Sequence, residues 1–395
     1  MNSPDTTIAA FYITGGLREV IPIYPLYAVM MGLDGISAFD LSVLFSIWAL
    51  TGIVTEIPSG AWADTYSRKK LIVAGGFIKG SAFLTWYYWP DFYGYALGFI
   101  IWGIGSSIRS GAWEALLYDQ LKRWNLESRF TRHYGRIKAL ATLGAMSGEI
   151  LGGFLIIYGF DTVLLISALV PVLASIPFIM LVQDIPSKVD KKDSYTATLV
   201  AGVRETISNR SILYILLTFS FLIVTWGVID EYVSPILFEK GFSLSMVAFL
   251  AAPIFLAQAL GEATAARFHF LSLDQLLICM AASTLFLVAA TFVTGYWLPT
   301  TIAVFFFTFG VASTIFSGQL QQEIEGDSRA TITSTVSLGD GIGAIIWFMV
   351  FGALAETSTM AIAAGVFGLL TIILCCAFLF LGRYWHIDHH NQDAP

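Results

Sequence analysis

Twelve apolar segments, most of them about twenty residues long, dominate this chain of 395 residues. A helix of about twenty residues spans the roughly 30 Å hydrocarbon core of a bilayer. Only 12% of the residues are charged, whereas about a quarter are charged in an ordinary soluble domain. The sequence therefore predicts an all-α, multi-pass integral membrane protein with twelve transmembrane helices. The predicted spans are 8–31, 38–62, 71–89, 93–119, 136–158, 162–181, 211–236, 243–267, 271–294, 298–323, 331–354 and 358–381.

The basic residues are distributed unevenly between the two sides of the predicted membrane. Of the 21 Lys and Arg residues, 17 fall in loops or tails on one side, and Lys240 alone falls on the other. The positive-inside rule assigns the basic side to the cytoplasm. Both termini are therefore predicted to be cytoplasmic, and we expect the chain to lie in a bacterial cytoplasmic membrane.

The pattern of segments divides the chain into two halves. We predict a first six-helix bundle at 1–181, a cytoplasmic linker at 182–210 and a second six-helix bundle at 211–395. The halves are weakly similar, because three pairs of residues follow one another in order at offsets of 206, 207 and 210. The pairs are Glu56 and Glu262, Ser110 and Ser317, and Pro25 and Pro235. This similarity favours two parallel structural repeats.

A short basic loop joins the second and third spans. It contains glycine, aspartate and arginine at every fourth position, which puts them on one face of a continuing helix. Glycine there would let another helix approach closely. The loop resembles the G-x-x-x-D-x-x-x-R-K-K motif of the major facilitator superfamily. The family usually has a glycine just before the arginine, and Ser67 stands at that position here. The matching residues are Gly60, Asp64, Arg68, Lys69 and Lys70.

The resemblance implies two pseudo-symmetric six-helix bundles and a cytoplasmic gate. In this fold, the loop residues pair with an acid at the inner end of the fourth span, which is Asp119 here. Spans 1, 4, 7 and 10 surround a central cavity, while spans 3, 6, 9 and 12 face outward. Lys79 in span 3 is therefore expected to have a structural or snorkelling role. The implied cavity residues are Arg18, Arg109, Trp113, Trp226, Asp230, Glu231, Gln319 and Gln322.

Charged side chains inside a membrane are costly, so each needs a physical reason. We predict that Glu114 and Glu149, with Arg18 and Arg109, form a proton-coupling centre, because nearby arginines can hold one acid charged while the other takes a proton. The alternative is a salt-bridge network that only holds helices together. The candidate coupling acids, in order of preference, are Glu114, Glu149, Glu19 and Asp340.

Span 5 contains glycines at every fourth position: Gly144, Gly148 and Gly152. They predict a small-residue face for close helix contact. The pattern resembles the span-5 motif of the superfamily's antiporters, but Glu149 replaces its proline. That departure weakens the assignment to antiporters.

The predicted function is proton-coupled export of a small organic solute by alternating access. The aromatic and acidic residues of the cavity would suit an amphipathic amine. Proton-coupled uptake of a polar nutrient and a non-transporting membrane receptor remain open. The sequence shows no nucleotide loop and no metal-ligand set, so we predict no enzyme activity, cofactor or metal. The expected partners are a small-molecule solute, protons and the lipid bilayer, with no nucleic acid and a monomeric chain.

Overall fold

The computed structural model describes residues 3–184, 210–323 and 329–385. Within these ranges, the side chains at 57, 61, 64, 111, 211–212, 320–323 and 329–337 are outside the description. The described residues are almost entirely helical and contain no β-strand. The all-α prediction is confirmed. Most of the predicted linker, 182–210, lies outside the described residues.

Thirteen α-helices are found in the described ranges. The first seven are α1 Pro4–Leu17, α2 Tyr27–Leu33, α3 Ala38–Thr65, α4 Arg68–Tyr88, α5 Phe92–Arg123, α6 Phe130–Leu155 and α7 Phe160–Leu181. The other six are α8 Arg210–Glu239, α9 Leu244–Thr264, α10 Leu273–Ala290, α11 Trp297–Glu323, α12 Arg329–Glu356 and α13 Met360–Tyr384. With α1 and α2 taken as two halves of one interrupted span, these helices correspond one to one to the twelve predicted segments. Nine helices of the described ranges are long and apolar enough to cross a membrane.

The described residues group into two compact units. The first contains residues up to 184 together with 243–252, and the second contains 210–242 and the residues from 253 onward. The beginning of α9 thus belongs to the first unit, where the ring of Phe249 lies 5.0 Å from that of Phe154. The boundaries drawn from the sequence stay a prediction.

Short polar side chains fix where several helices begin. Ser37 precedes α3, and its hydroxyl accepts a hydrogen bond from the N–H of Asp40. Asp91 precedes α5, and hydrogen bonds to its carboxylate, foremost the one from the Gly94 N–H, lower its pKa. Such caps satisfy backbone donors that have no partner inside the helix.

Candidate functional site

The first predicted span is interrupted in its middle. Between α1 and α2, residues 18–26 form turns instead of helix. Pro22 and Pro25 have no N–H and cannot continue the helical hydrogen-bond ladder. The N–H of Ile23 donates instead to the hydroxyl of Ser167, at 3.0 Å. Irregular backbone at membrane depth is tolerated where protein covers it or where it lines a site, so this break is a candidate functional feature.

The glycine face of α6 lies against this interrupted segment. A Cβ added at Gly148 would lie 2.6 Å from the backbone N of Ile21. One added at Gly144 would overlap the carbonyl oxygen of Gly16, and Gly152 has a similar relation to the backbone of the same segment. The predicted close contact of this face is confirmed, and its partner is the broken span.

Three cations share one carboxylate beside the break. Arg18 Nε lies 3.0 Å from Glu19 Oε1, and Arg109 Nη2 lies 3.6 Å from the same oxygen. Lys79 Nζ lies 3.9 Å from Glu19 Oε2. These four residues, hereafter the cationic cluster, come from the first, third and fourth spans. Their side chains are at most 20% exposed, and that of Lys79 is 3% exposed.

Aromatic rings position the cations of the cluster. The guanidinium carbon of Arg18 lies 4.2 Å from the ring centroid of Trp113, within cation–π range. The ammonium of Lys79 donates to the hydroxyl of Tyr24 at 2.5 Å and lies 5.5 Å from the ring of Trp102. Trp113 was expected at the cavity from the sequence, whereas Tyr24 and Trp102, which stack on each other, were not.

Lys79 does not snorkel, because only 2% of the residue is exposed. It lies on α4 four residues after Gly75, on the same face. This face meets α5 where both helices have glycine: a Cβ at Gly105 would lie 3.0 Å from the N of Lys79. The close crossing brings Lys79 into the cluster with Arg109. Of the expected structural or snorkelling role, the snorkelling half was therefore wrong, and the structural half stays a prediction. Gly75 was the sequence signal for the crossing.

The loop between α3 and α4 makes ionic and backbone contacts at one end of the first unit. Arg68 forms an ion pair with Asp119, as the resemblance implied, and its Nε donates to the carbonyl of Ala63 at 3.1 Å. Lys69 Nζ donates to the carbonyl of Ile179, near the end of α7, at 2.8 Å. The loop thus joins the ends of four helices. Along α5, the ion pair lies about 15 Å from the cationic cluster.

The other positions of the loop have different surroundings. Among the described residues, nothing lies within 4 Å of a Cβ added at Gly60, and the close helix approach predicted there stays a prediction. Ser67, which replaces the motif's glycine, caps α4 by accepting a hydrogen bond from the N–H of Lys70. The Lys70 residue is exposed, and the Asp64 side chain lies outside the described residues.

Sequence comparison identifies the family. The profile of the Major Facilitator Superfamily matches residues 6–348. The chain belongs to this superfamily. It is 25% identical over 369 residues to the MFS-type transporter MJ1560 of Methanocaldococcus jannaschii, covering 88% of this chain and 90% of that protein.

Solved structures of superfamily members share the fold. A mutant form of the nucleoside transporter NupG superposes with a TM-score of 0.79 at 16% identity, covering 95% of this chain and 99% of that one. A bacterial homolog of the human lysosomal transporter Spinster gives a TM-score of 0.75 at 15% identity, covering 99% and 98%. The predicted membrane fold is confirmed. The chain is a multi-pass secondary transporter of the superfamily, and not an enzyme.

The two acids preferred for coupling in this superfamily member have surroundings that differ from those of Glu19. Glu114 is exposed and accepts a hydrogen bond from the hydroxyl of Tyr134. Glu149 is 4% exposed, and its Oε2 has no hydrogen-bond partner among the described residues. No ion pair of the described residues joins either acid to Arg18 or Arg109. The acid that pairs with Arg18 and Arg109 is Glu19. The coupling role of Glu114 and Glu149 stays a prediction.

The uncharged cavity residues predicted for the second half of the superfamily fold are one tryptophan on α8 and two glutamines on α11. Trp226 stacks on Phe309, with ring centroids 4.8 Å apart and planes 2° from parallel. On α11, the buried Oε1 of Gln319 has no hydrogen-bond partner in the described part of the chain. The Gln322 side chain lies outside the described residues.

The predicted acids of the second unit lie on α8 and α12. Asp230 and Glu231 are half-buried on α8. Asp340 is half-buried on α12, between two glycines, and the hydroxyl of Ser220 lies 3.9 Å from a Cβ added at Gly339. The second unit therefore has three half-buried carboxylates on α8 and α12, and the hydroxyl of Ser220 lies near the one on α12.

Proposed function

We propose that this superfamily member couples proton movement to the transport of a small organic solute by alternating access, with Glu19 as the coupling acid. The observation that carries the proposal is the single carboxylate shared by Arg18, Lys79 and Arg109 beside the break in the first span. A buried carboxylate is stabilised in its charged form by neighbouring cations and is favoured in its neutral form when those cations are withdrawn.

The coupling follows from competition for the cations. While all three cations contact Glu19, the carboxylate is stabilised in its charged form. A solute that binds the cations removes these partners. A buried carboxylate without partners takes up a proton rather than remaining charged. Solute binding and protonation of Glu19 are then linked without a nucleotide or a metal ion.

The direction of transport has two candidates. Export by proton antiport is the mode expected from the sequence, and it requires the solute and the proton to compete. Uptake by proton symport is favoured by the position of Glu19, since a solute that displaces the carboxylate from the cations promotes its protonation. In both modes, we propose that the Arg68–Asp119 ion pair belongs to a cytoplasmic gate.

Charge patterning supports the remaining parts of the proposal. The 17 basic residues on one predicted side favour cytoplasmic termini in a bacterial cytoplasmic membrane. We propose a monomer as the transporting unit.

The test is proton flux in proteoliposomes that contain the full chain and a pH-sensitive dye. Candidate solutes are added outside; the panel includes organic acids, amines and, because of the fold neighbour NupG, nucleosides. Antiport would make the lumen more alkaline, whereas symport would make it more acidic. A receptor that does not transport would bind a solute without any proton signal, and that result would contradict the proposal.

Variants assign the coupling acid in the same assay. We expect Glu19→Gln to abolish the proton signal but to leave downhill solute exchange measurable. Glu127→Gln, at an exposed position on a short 3₁₀ turn, is the matched control and should behave like the parent. If Glu19→Gln retains the signal and Glu114→Gln or Glu149→Gln loses it, coupling belongs to one of those acids.

A further inference from the structure

We propose that the cationic cluster binds an anionic group of the solute, a carboxylate or a phosphate, and that this anion is carried together with a proton. The inference rests on the proposed function and deepens it by naming the chemical class of the solute. It replaces the amine expected from the sequence.

The charge balance of the cluster is the first observation. Three cationic side chains surround one carboxylate, and two of the three are arginines, which do not deprotonate in proteins. Even with a neutral Lys79, the cations outnumber the acid. Two tyrosines lie near the cluster. Tyr24 accepts a hydrogen bond from Lys79. Tyr134 donates one to the exposed Glu114 and interacts electrostatically with Arg18. Unbalanced positive charge is unfavourable in a poorly solvated site, and an anionic ligand would neutralise it.

Unused hydrogen-bond donors are the second observation. Arg18 contacts Glu19 through Nε, and Arg109 contacts it through Nη2 at 3.6 Å, beyond hydrogen-bond range. Among the described residues, no hydrogen bond uses the Nη atoms of either arginine. The side chains are 17% and 12% exposed, so they are accessible to a small ligand. Guanidinium groups with free paired donors match the two oxygens of a carboxylate or phosphate.

The aromatic contacts make this geometry selective. Trp113 is 3% exposed, and its ring centroid lies 4.2 Å from the guanidinium carbon of Arg18, which restricts the position of that guanidinium group. The ring centroids of Tyr24 and Trp102 lie 5.2 and 5.5 Å from the ammonium of Lys79 and restrict its position. An amine entering this site would meet three fixed positive charges, so repulsion discriminates against cations while the same groups attract anions.

Glu19 links the anion to a proton. The solute anion and the Glu19 carboxylate are alternative partners for the same cations. Protonation of Glu19 neutralises the competing carboxylate and frees Arg18 and Arg109, and anion binding favours that protonation in return. One proton adds to the carboxylate and no other bond changes. A singly charged anion carried with one proton therefore moves no net charge, and transport is symport.

Binding is tested first, with purified full-length protein in detergent and thermal unfolding as the readout. The probes are benzoate and lactate as carboxylates, glycerol 3-phosphate as a phosphate monoester, uridine as a neutral solute and tetraphenylphosphonium as a cation. We expect at least one anion to raise the unfolding temperature, and to do so more strongly at mildly acidic than at mildly alkaline pH. The carboxylate and phosphate arms distinguish the two anion chemistries.

Variants then place the anion in the cluster. We expect Arg18→Gln and Arg109→Gln each to weaken anion binding by about tenfold or more. Arg132→Gln, which removes an equal charge from an exposed position on α6, should bind as the parent does. If the Gln variants do not fold, Arg109→Lys keeps the charge but removes the paired donors, and it should still bind the anion more weakly than the parent.

The outcomes separate this inference from the proposed function. Proton-coupled transport of tetraphenylphosphonium but of no anion would overturn the anion site and leave the proposed function intact. Anion binding that depends on Arg18 and Arg109, without any proton flux, would support the site and overturn proton coupling. Equal anion binding by the parent and by both arginine variants, or no response to any anion at either pH, would overturn the inference.

Discussion

The two units differ in the sign of the charge that they hold inside the membrane. The first unit gathers three cations around Glu19. In the second unit, the half-buried charged residues within α8 and α12 are the acids Asp230, Glu231 and Asp340, and the half-buried Lys240 lies just beyond the end of α8. The basic residues in the described part of that unit lie at or beyond helix ends: Arg210, Lys240, Arg267, Arg329 and Arg383. Repeats with a common fold therefore differ in chemistry, and recognition of an anion is assigned to the first unit.

The first helices of the two units also respond differently to proline. The α8 helix continues through Pro235, whereas the first span unwinds around Pro22 and Pro25. One proline costs a helix interior about 3 kcal/mol, and neighbouring groups in a membrane protein can compensate for one lost hydrogen bond. Two prolines three residues apart remove neighbouring donors on consecutive turns. The unwinding also places Arg18 and Glu19 outside regular helix, next to the backbone that α6 contacts.

The two connections that follow the second span of each half differ as well. The first has the Arg68–Asp119 ion pair, and among the described residues nothing lies within 4 Å of a Cβ added at Gly60. In the second, a Cβ at Gly261 would lie 3.1 Å from the N of Val311, so α9 and α11 approach closely there. Within the described part of the chain, close packing at a glycine is therefore seen at Gly261, while the approach predicted at Gly60 stays a prediction.

The largest predicted effect concerns the contact between α6 and the broken span. Gly148→Ala should destabilise the protein by about 1–3 kcal/mol, because the new Cβ meets backbone that cannot move aside. At Gly227 on α8, an added Cβ has no neighbour within 4 Å among the described residues, so Gly227→Ala should be neutral or stabilising by up to about 1 kcal/mol. Thermal unfolding in detergent compares the two. Equal unfolding temperatures would show that the tight contact with the broken span contributes nothing to stability.

A smaller effect is predicted at the loops. Arg68→Ala should lower the transport rate about tenfold without changing solute affinity, because it removes an ion pair proposed to favour one gate state. Asp119→Asn should have a similar effect, and the double variant should be no worse than either single one. Arg267→Ala in the second unit is the matched control. A parental rate for Arg68→Ala, measured by solute flux, would remove the gate role; Asp64→Asn tests the loop partner predicted from the sequence.

The smallest predicted effect concerns helix starts. Ser67→Ala should cost about 1 kcal/mol of stability, whereas Ser67→Gly, which restores the family's glycine, should cost a few tenths. Ser272, which caps α10 through a reciprocal bond with Gln275, should show a similar loss when replaced by alanine. Similar losses in the two units would show that capping is not where they differ. A neutral Ser67→Ala would contradict the capping role.

The fold was predictable because membrane length and hydropathy restrict each segment strongly. The break in the first span was not predicted, since its residues other than Arg18 and Glu19 are as apolar as those of a continuous helix and only two prolines signal it. Hydropathy averaged over a window does not register a lost hydrogen bond. The close contact of Gly148 was predicted, because glycine spacing reports how near another chain can come.

Most residues of the candidate site could be predicted from the sequence, but the ion pairs between them could not. Burying charge is costly, so Arg18, Arg109 and Glu19 stood out in the sequence. Their partners depended on side-chain direction, which changes when a helix unwinds. Lys79 was assigned outward because its span is peripheral in the family fold, but a glycine crossing turns it inward. The close packing of α4 against α5 therefore determines where Lys79 lies, and the peripheral place of its span in the family fold does not.

The most direct test of the account compares uphill transport by two variants, Glu19→Gln in the first unit and Asp340→Asn in the second. Proteoliposomes containing the parent or either variant are given an imposed pH gradient and a solute that the parent transports. We expect Asp340→Asn to accumulate the solute to within about threefold of the parent. Glu19→Gln should accumulate none above equilibrium while it still exchanges solute downhill. Parental accumulation by Glu19→Gln, with a loss in Asp340→Asn, would contradict the assignment of coupling to the cationic cluster.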